Sequence, residues 1–326
     1  MKHWSDYWRH SAALNSFAES DSASGYVGEV ADFWHQHLAN YKEQAHLVDV
    51  GTGNGALAVL IAEYARKRGY AWNITGIDAA DIDPMASLQA KPELVEKLKG
   101  IKFLGSTPIE KLPFEDNSID TVTSQFAFEY ADTTLALKEI LRVLKSNGEF
   151  VAMAHHAESS LVNDSQRGLA IFDYTLNNSP LFMQVDLLFQ LASRALAAMD
   201  YASWNRTQEC IAISKSIQWT MTIISERFNQ KGDEAWVNDI FGQVINLIKA
   251  VTTAQNAERA LSGLGSIYGA LQAHQLRLKE QIAAALTREK LIDLQKQAKQ
   301  NGAEMSSRDF AIDGELFAYV VTTRKQ

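Results

Sequence analysis

Two carboxylates, a run of glycines and a pair of histidines carry the chemistry that can be read first in this chain. Leu47-Val48-Asp49-Val50-Gly51-Thr52-Gly53-Asn54-Gly55 sets an acid at the end of an apolar strand and three glycines at alternate positions. Glycine accepts the backbone angles of a sharp turn. Without Cβ atoms, Gly51, Gly53 and Gly55 would also let a ligand lie against the backbone. The Ala-rich run that follows, Ala56 to Ala62, reads as a helix whose N-terminus faces that ligand, an arrangement suited to a nucleotide. Asp78 ends a second apolar run, Ile74-Thr75-Gly76-Ile77, and His155-His156 follow a third, Phe150 to Ala154.

Alternating elements bring these groups to one edge. Val27, Val30, Phe33, Trp34 and Leu38 recur at helical spacing and predict a helix over 26–41. A strand at 47–51 leads into a helix over 55–68, closed by Gly69 as a C-cap. Strands at 74–78, 101–104, 119–124 and 149–154 alternate with helices near 92–99 and 132–144. That order argues for a parallel sheet with right-handed crossovers. From about 158 to 300 strand character disappears. Helices are expected after the break at Asn177-Asn178-Ser179-Pro180, then near 205–229, 234–251, 255–284 and 287–300. Ser307 to Ile312, Asp313-Gly314 and Leu316 to Thr323 read as a β-hairpin with an Asp-Gly turn.

Composition narrows the partners. With 39 acidic and 31 basic residues the net charge is -8, which disfavours a nucleic-acid partner, since phosphate backbones call for basic surfaces. No apolar run approaches the ~18 residues of a spanning helix. The opening Met1-Lys2-His3-Trp4-Ser5-Asp6 has no apolar signal core, so a cytoplasmic location without membrane contact is expected. Cys210 is the one cysteine in the sequence, no Cys/His spacing suits zinc, and no metal is expected.

The glycine turn suits two nucleotides. Gly51-x-Gly53-x-x-Ala56 satisfies the dinucleotide fingerprint, with Asp78 near the distance of a ribose-binding acid. Asp49 in the strand end, the segment Leu112-Pro113-Phe114 through Ser118-Ile119-Asp120, and the closing hairpin point elsewhere. In these motifs the chain resembles the class I S-adenosylmethionine-dependent methyltransferases, particularly the type 11 methyltransferase domain. Asp49 to Gly55 matches that family's D-x-G-x-G-x-G loop, and 112–120 its L-P-F-x-x-x-S-F-D segment, with Ile119 in place of phenylalanine. The resemblance covers about half of the chain.

It implies an α/β fold: a Rossmann-like, mixed seven-stranded sheet with a C-terminal antiparallel hairpin. The core would be 1–157 with 303–326, and 158–302 a large all-helical insertion. It also implies S-adenosyl-L-methionine as cofactor, leaving as S-adenosyl-L-homocysteine. Gly51, Thr52, Gly53 and Gly55 would approach the methionine part, and Asp49 its ammonium. Asp78 would accept both ribose hydroxyls, Ala79 would pack near adenine, and Gln125 and Phe126 would lie beside the methionine chain. The family often has Asp-Ala-Glu where this chain has Pro108-Ile109-Glu110. Proline offers neither acceptor nor amide proton, so the adenine contact passes to the Ile109 amide or to Thr107.

His155 and His156 are the candidate general bases, against the plainer reading of a polar strand end, with Glu129 and Tyr130 lining the same pocket. His35 and His37 do not share a helix face and are not a metal pair. Trp4, Tyr7, Trp8 and Phe17 form an aromatic segment, with Tyr7 and Trp8 as a lid over the sulfonium. The expected reaction is methyl transfer to a small, partly apolar acceptor, the insertion capping the substrate pocket and serving as a homodimer interface. Protein or RNA methylation, or silent cofactor binding in an assembly protein, are the alternatives.

Overall fold

The computed structural model of the protein describes residues 1–16 and 24–326. In chain order its first elements are α1 (Lys2–His10), α2 (Gly28–Leu38), β1 (Gln44–Val50), α3 (Ala56–Arg68) and β2 (Ala71–Ile77). Then come α4 (Pro84–Ser87), α5 (Pro92–Leu98), β3 (Ile101–Leu104), β4 (Ile119–Gln125), α6 (Thr133–Val143) and β5 (Leu144–His155). Helices α7 (Ser160–Asp173), α8 (Leu181–Leu196), α9 (Tyr201–Trp204), α10 (Gln208–Arg227), α11 (Asp233–Ala250), α12 (Ala254–Ala284) and α13 (Arg288–Gln300) follow. The strands β6 (Ala303–Ile312) and β7 (Glu315–Lys325) close the set.

The seven strands lie in the order β3-β2-β1-β4-β5-β7-β6. Strands β1 to β5 pair in parallel, whereas β7 runs antiparallel to both β5 and β6. The expected mixed seven-stranded α/β sheet is therefore present. The hairpin turns at Asp313 (φ 51°) and Gly314 (φ 80°), the left-handed pair that a tight two-residue turn requires.

Both faces of the sheet are covered. Along β5, Phe150, Ala152 and Ala154 enter one core while Val151 and Met153 enter the other, the period of two that a pleated strand imposes. In β7, Tyr319 and Val321 join the first core, and Ala318 and Val320 the second. Helix α6 supplies Ala136, Leu137 and Ile140 to the first face, and α3 supplies Leu57, Leu60 and Ile61 to the second. This two-sided burial explains why the strands read as continuous apolar runs rather than alternating ones.

The described residues form two compact units, Met1–Val162 with Ala283–Gln326, and Asn163–Ile282. The second is all helical and closes around its own core, which includes Phe172, Leu181, Val185, Phe189, Ile217, Ile240 and Leu264. A π-helical turn at Tyr174–Asn178 falls where Asn177-Asn178-Ser179-Pro180 interrupts the helical pattern. The expected insertion, 158–302, is too long at both ends. Helix α13 belongs to the first unit, where Leu291, Leu294 and Ala298 sit in the same core as Ile140, Leu144 and Phe150. Its apolar stripe shows that it buries one face, and nothing in that stripe says against which core.

Truncating Leu294 to Ala should therefore destabilise the sheet-containing unit by about 2–5 kcal/mol, the usual cost of a buried leucine cavity. Urea denaturation followed by tryptophan fluorescence checks this. A loss below about 1 kcal/mol would place α13 outside that core.

Candidate active site

Three parallel strands deliver the site's groups to their carboxyl ends. Asp49 is the penultimate residue of β1, pairs with Gly76 of β2 and Thr123 of β4, and is 2% exposed. Burial pushes its carboxyl up to about 7; the Thr123 hydroxyl, donating to Oδ1 at 3.2 Å, pulls the other way, and the nearby Asp78 adds to the rise. Asp78 follows the end of β2, and burial raises its carboxyl to about 6 against two backbone donors. The Gly53 N–H reaches its Oδ2 at 2.9 Å and the Ala80 N–H its Oδ1 at 2.8 Å. Asp78 thus ties the glycine turn to the β2 end, while each oxygen keeps a second lone pair for a ligand.

The turn is fixed by the chain's own side chains. Gly51 (φ 70°) and Gly53 (φ 55°) adopt left-handed angles. A Cβ on Gly51 would fall 2.0 Å from the Ala127 Cβ, one on Gly53 2.4 Å from the Trp8 indole, and one on Gly55 2.8 Å from the Phe103 ring. The expectation that these glycines clear space for a ligand is thus incomplete, because each also makes room for a packed side chain. The Thr52 N–H donates to the Ile77 carbonyl at 2.9 Å, and its side chain lies where a Cβ on Gly76 would project.

Helix α1 is strapped across this turn. Asn54, fully buried, holds it from below: its Nδ2 lies 3.2 Å from the Trp8 carbonyl, 3.2 Å from that of Ser11 and 3.0 Å from that of Ala13. On the other side the Asp81 N–H donates to Ser5 Oγ at 3.0 Å, and Arg9 is ion-paired with Asp81. Tyr7 packs edge-on to Trp8, and Trp4 edge-on to Tyr130. Trp8 thus lies against the glycine turn with Tyr7 packed beside it; Phe17 lies outside the described residues. Asn54 was not singled out in the sequence, although its amide is the clamp.

The side expected to face adenine is built from the β2 and β3 ends. The Thr107 N–H donates to the Asp78 carbonyl at 2.8 Å, and its hydroxyl donates to the Gly105 carbonyl at 3.0 Å. Ile109 packs against the first core and Ala79 is half-buried between Asp78 and Ala80. Gln125, expected beside the methionine chain, has both ends of its amide engaged in the core. Its Oε1 accepts from Trp34 Nε1 at 2.6 Å and its Nε2 donates to Met153 Sδ at 3.3 Å. Phe126 (φ 54°) turns out of β4 with its amide donating to the Met153 carbonyl, and sets its ring 4.4 Å from that of His155.

The two histidines part company. Glu129 Oε1 accepts both from the His155 backbone N–H at 2.8 Å and from its Nδ1 at 2.6 Å. An ionised carboxylate only accepts, so Nδ1 carries the proton and Nε2 a free lone pair. Glu129 Oε2 is also buried and has no hydrogen-bond partner among the described residues, a group that costs about 1–3 kcal/mol to leave so. His156 instead stacks on Tyr319 at 3.9 Å, accepts from the Glu158 N–H through Nδ1, and lies 3.8 Å from Asp309. Burial holds its imidazole below the ordinary range. Among the described residues, no cluster of three or more His, Cys, Asp or Glu could hold a metal, and no helix is long and apolar enough to cross a membrane.

The methyltransferase-domain family matches residues 48–152, a stretch that holds Asp49, the glycine turn, Asp78 and Glu129 and stops short of His155. Over 112 residues the chain is 35% identical to the ubiquinone/menaquinone biosynthesis C-methyltransferase UbiE of Rickettsia felis, covering 33% of this chain and 44% of that protein. It is 30% identical over 128 residues to the uncharacterized methyltransferase YcgJ of Bacillus subtilis, covering 39% of this chain and 47% of the other. The crystal structure of that YcgJ protein covers 91% of this chain and 97% of its own at 17% identity, with a TM-score of 0.37. The chain spans less than half the length of the relatives it matches in sequence.

Asp49 makes stability depend on pH in a definite direction. Its carboxyl is raised, so below about pH 4 both folded and unfolded forms are protonated and no penalty applies. As pH climbs to about 7 only the unfolded chain ionises freely, and the folded state loses on the order of 4 kcal/mol at most. Asp49→Asn should therefore melt higher than the parent at pH 8, with the gap closing towards pH 4. Calorimetric melts at both pH values check it, and a lower melting point at pH 8 would contradict the assignment.

Proposed function

We propose that this chain, whose residues 48–152 are a class I S-adenosylmethionine-dependent methyltransferase domain, transfers the donor's methyl group to a small, partly apolar acceptor. The observation that carries the reading is the pair of buried carboxylates at adjacent strand ends, Asp49 and Asp78, both raised by burial and lacking a cationic partner in their hydrogen bonds. Such a pair fits a ligand bearing an ammonium group and a ribose. Asp49 would hold the ammonium and the second lone pairs of Asp78 would take the ribose hydroxyls. Ala79 and Ile109 would border the adenine, with the Ile109 amide or Thr107 contacting its edge, and Phe126 would border the methionine chain.

When bound, the donor supplies an electrophilic methyl on a sulfonium sulfur. The chain's part is to hold that sulfur and the acceptor in line and close, which can supply several kcal/mol of a barrier. Helix α1, clamped by Asn54 and by the Ser5 and Arg9 contacts to Asp81, would exclude water from the glycine turn. A relative named as a C-methyltransferase of ubiquinone/menaquinone biosynthesis supports a small acceptor. The acidic charge of the chain argues against RNA.

We assign the choice of acceptor to the helical unit 163–282, which has a core of its own. Replacing 163–282 by a short linker should leave donor binding intact and abolish turnover on the native acceptor. Unchanged turnover would remove that assignment.

Donor affinity should also follow Asp49. Binding an ammonium group requires the ionised carboxylate, and in the free protein that form predominates only above about pH 7. Calorimetric Kd for S-adenosylmethionine should weaken by up to ~10-fold per unit as pH falls below that point. Asp49→Asn should bind at least ~10-fold more weakly at pH 8, with a flat pH dependence. Equal affinity for both proteins would reject Asp49 as the ammonium partner.

A further inference from the structure

We propose that Glu129 and His155 form a proton-accepting pair that makes this a methyltransferase for ionisable hydroxyls on flat, conjugated frames. His155 Nε2 would be the base and Glu129 the residue that positions it. The proposal rests on the methyl-transfer reading and says what that site would act upon.

Four observations meet here. Glu129 is held in the short 3-10 turn Phe128–Tyr130 after β4 and is buried, so it cannot swing to another partner. It grips both the backbone and the ring of His155, which fixes the ring's direction and leaves Nε2 as the basic nitrogen. Its second oxygen, Oε2, is buried with no partner among the described residues, an acceptor those residues leave open. Around His155 stand aromatic side chains that are only half-buried: Phe126 at 4.4 Å, Tyr130 edge-on at 5.8 Å, Phe317 against Phe126, and Trp4 against Tyr130. A flat conjugated ring is the ligand such faces and edges receive best. Among the described residues, the titratable side chains in contact with the His155 ring are Glu129 and Tyr130.

The step balances without a further reactant. The acceptor's O–H bond breaks and its proton passes to His155 Nε2. The electron pair, at oxygen or at the ring carbon conjugated with it, forms the bond to methyl as the carbon–sulfur bond breaks towards sulfur. Where carbon is methylated, that carbon's proton leaves and the hydroxyl is restored, so one net proton is released per turnover by either route. His156 has no part in this step, being stacked on Tyr319 with Nδ1 engaged.

The test uses the full chain, its Glu129→Gln variant and its His155→Asn variant. Donor binding is measured first by calorimetry with S-adenosylmethionine, and both variants should match the parent because neither residue is placed at the donor. Catechol and a β-diketone, with aniline and thiophenol as matched controls, are then assayed for methyl release. The expected result is turnover of the two hydroxyl compounds only, with kcat reduced about 10- to 100-fold by Glu129→Gln at an unchanged donor KM. Nitrogen-15 histidine NMR gives a readout free of activity. The parent should show His155 protonated at Nδ1, and Glu129→Gln should weaken that tautomer preference. A proton on Nε2 in the parent, or a tautomer preference indifferent to Glu129→Gln, overturns the pair; turnover of the amine or thiol alone overturns the acceptor class. Failure of the parent to bind the donor would instead sink the methyl-transfer reading beneath it, leaving the NMR result to judge the pair.

Discussion

Two carboxyl groups buried side by side, each resisting ionisation, are what this fold is arranged to tolerate. Asp49 and Asp78 stand at the ends of neighbouring parallel strands, buried between helices packed on both faces of the sheet. Their burial is unfavourable until something positive or proton-donating arrives. In the meantime the protein spends backbone amides on them: Gly53 and Ala80 donate to Asp78, and the Thr123 hydroxyl donates to Asp49. Because one of those amides belongs to the glycine turn, the turn's shape depends on a carboxylate from a different strand. Side chains then finish the job, with Ala127, Trp8 and Phe103 packed where Cβ atoms would have been. The site is pre-shaped and strained in charge rather than in backbone.

The parts of this molecule that could be read from sequence are those governed by neighbours in the chain. The strand ends at Asp49 and Asp78, the C-cap at Gly69 and the Asp313-Gly314 turn are all set by a few adjacent residues, and they lie where expected. Helix α13 was legible as a helix and illegible as to its home, because a stripe of Leu291, Leu294 and Ala298 fits any apolar surface. Asn54 drew no expectation from its place between glycines; only the folded chain brings the carbonyls of Trp8, Ser11 and Ala13 onto its amide. The family resemblance set Gln125 beside the methionine chain, and in the folded chain its amide also engages Trp34 and Met153.

The histidine pair makes the same point at closer range. His155 and His156 are consecutive in an extended segment, so the pleat must send them to opposite sides. Nothing local distinguishes them. What does is Glu129, which arrives from the turn after β4 on one side, and Tyr319 from β7 on the other. One histidine becomes an oriented imidazole and the other a stacking surface. The matched family stretch, ending at residue 152, contains the carboxylate of the first pair and neither ring.

The strand order also sets a timetable. β5 lies between β4 and β7, yet the whole helical unit is translated between β5 and the hairpin that flanks it. During synthesis β5 therefore emerges with one side unpaired, its amides and carbonyls from Glu149 to His155 waiting for Ala318 to Arg324. Long-range pairings of this kind close slowly, and an open strand edge is the surface on which nascent chains associate wrongly. The helical unit, with its local contacts and separate core, can collapse in that interval. The nascent protein is thus at its most adhesive late in translation, and a chaperone acting on it would meet the bare flank of β5 rather than an unfolded helix.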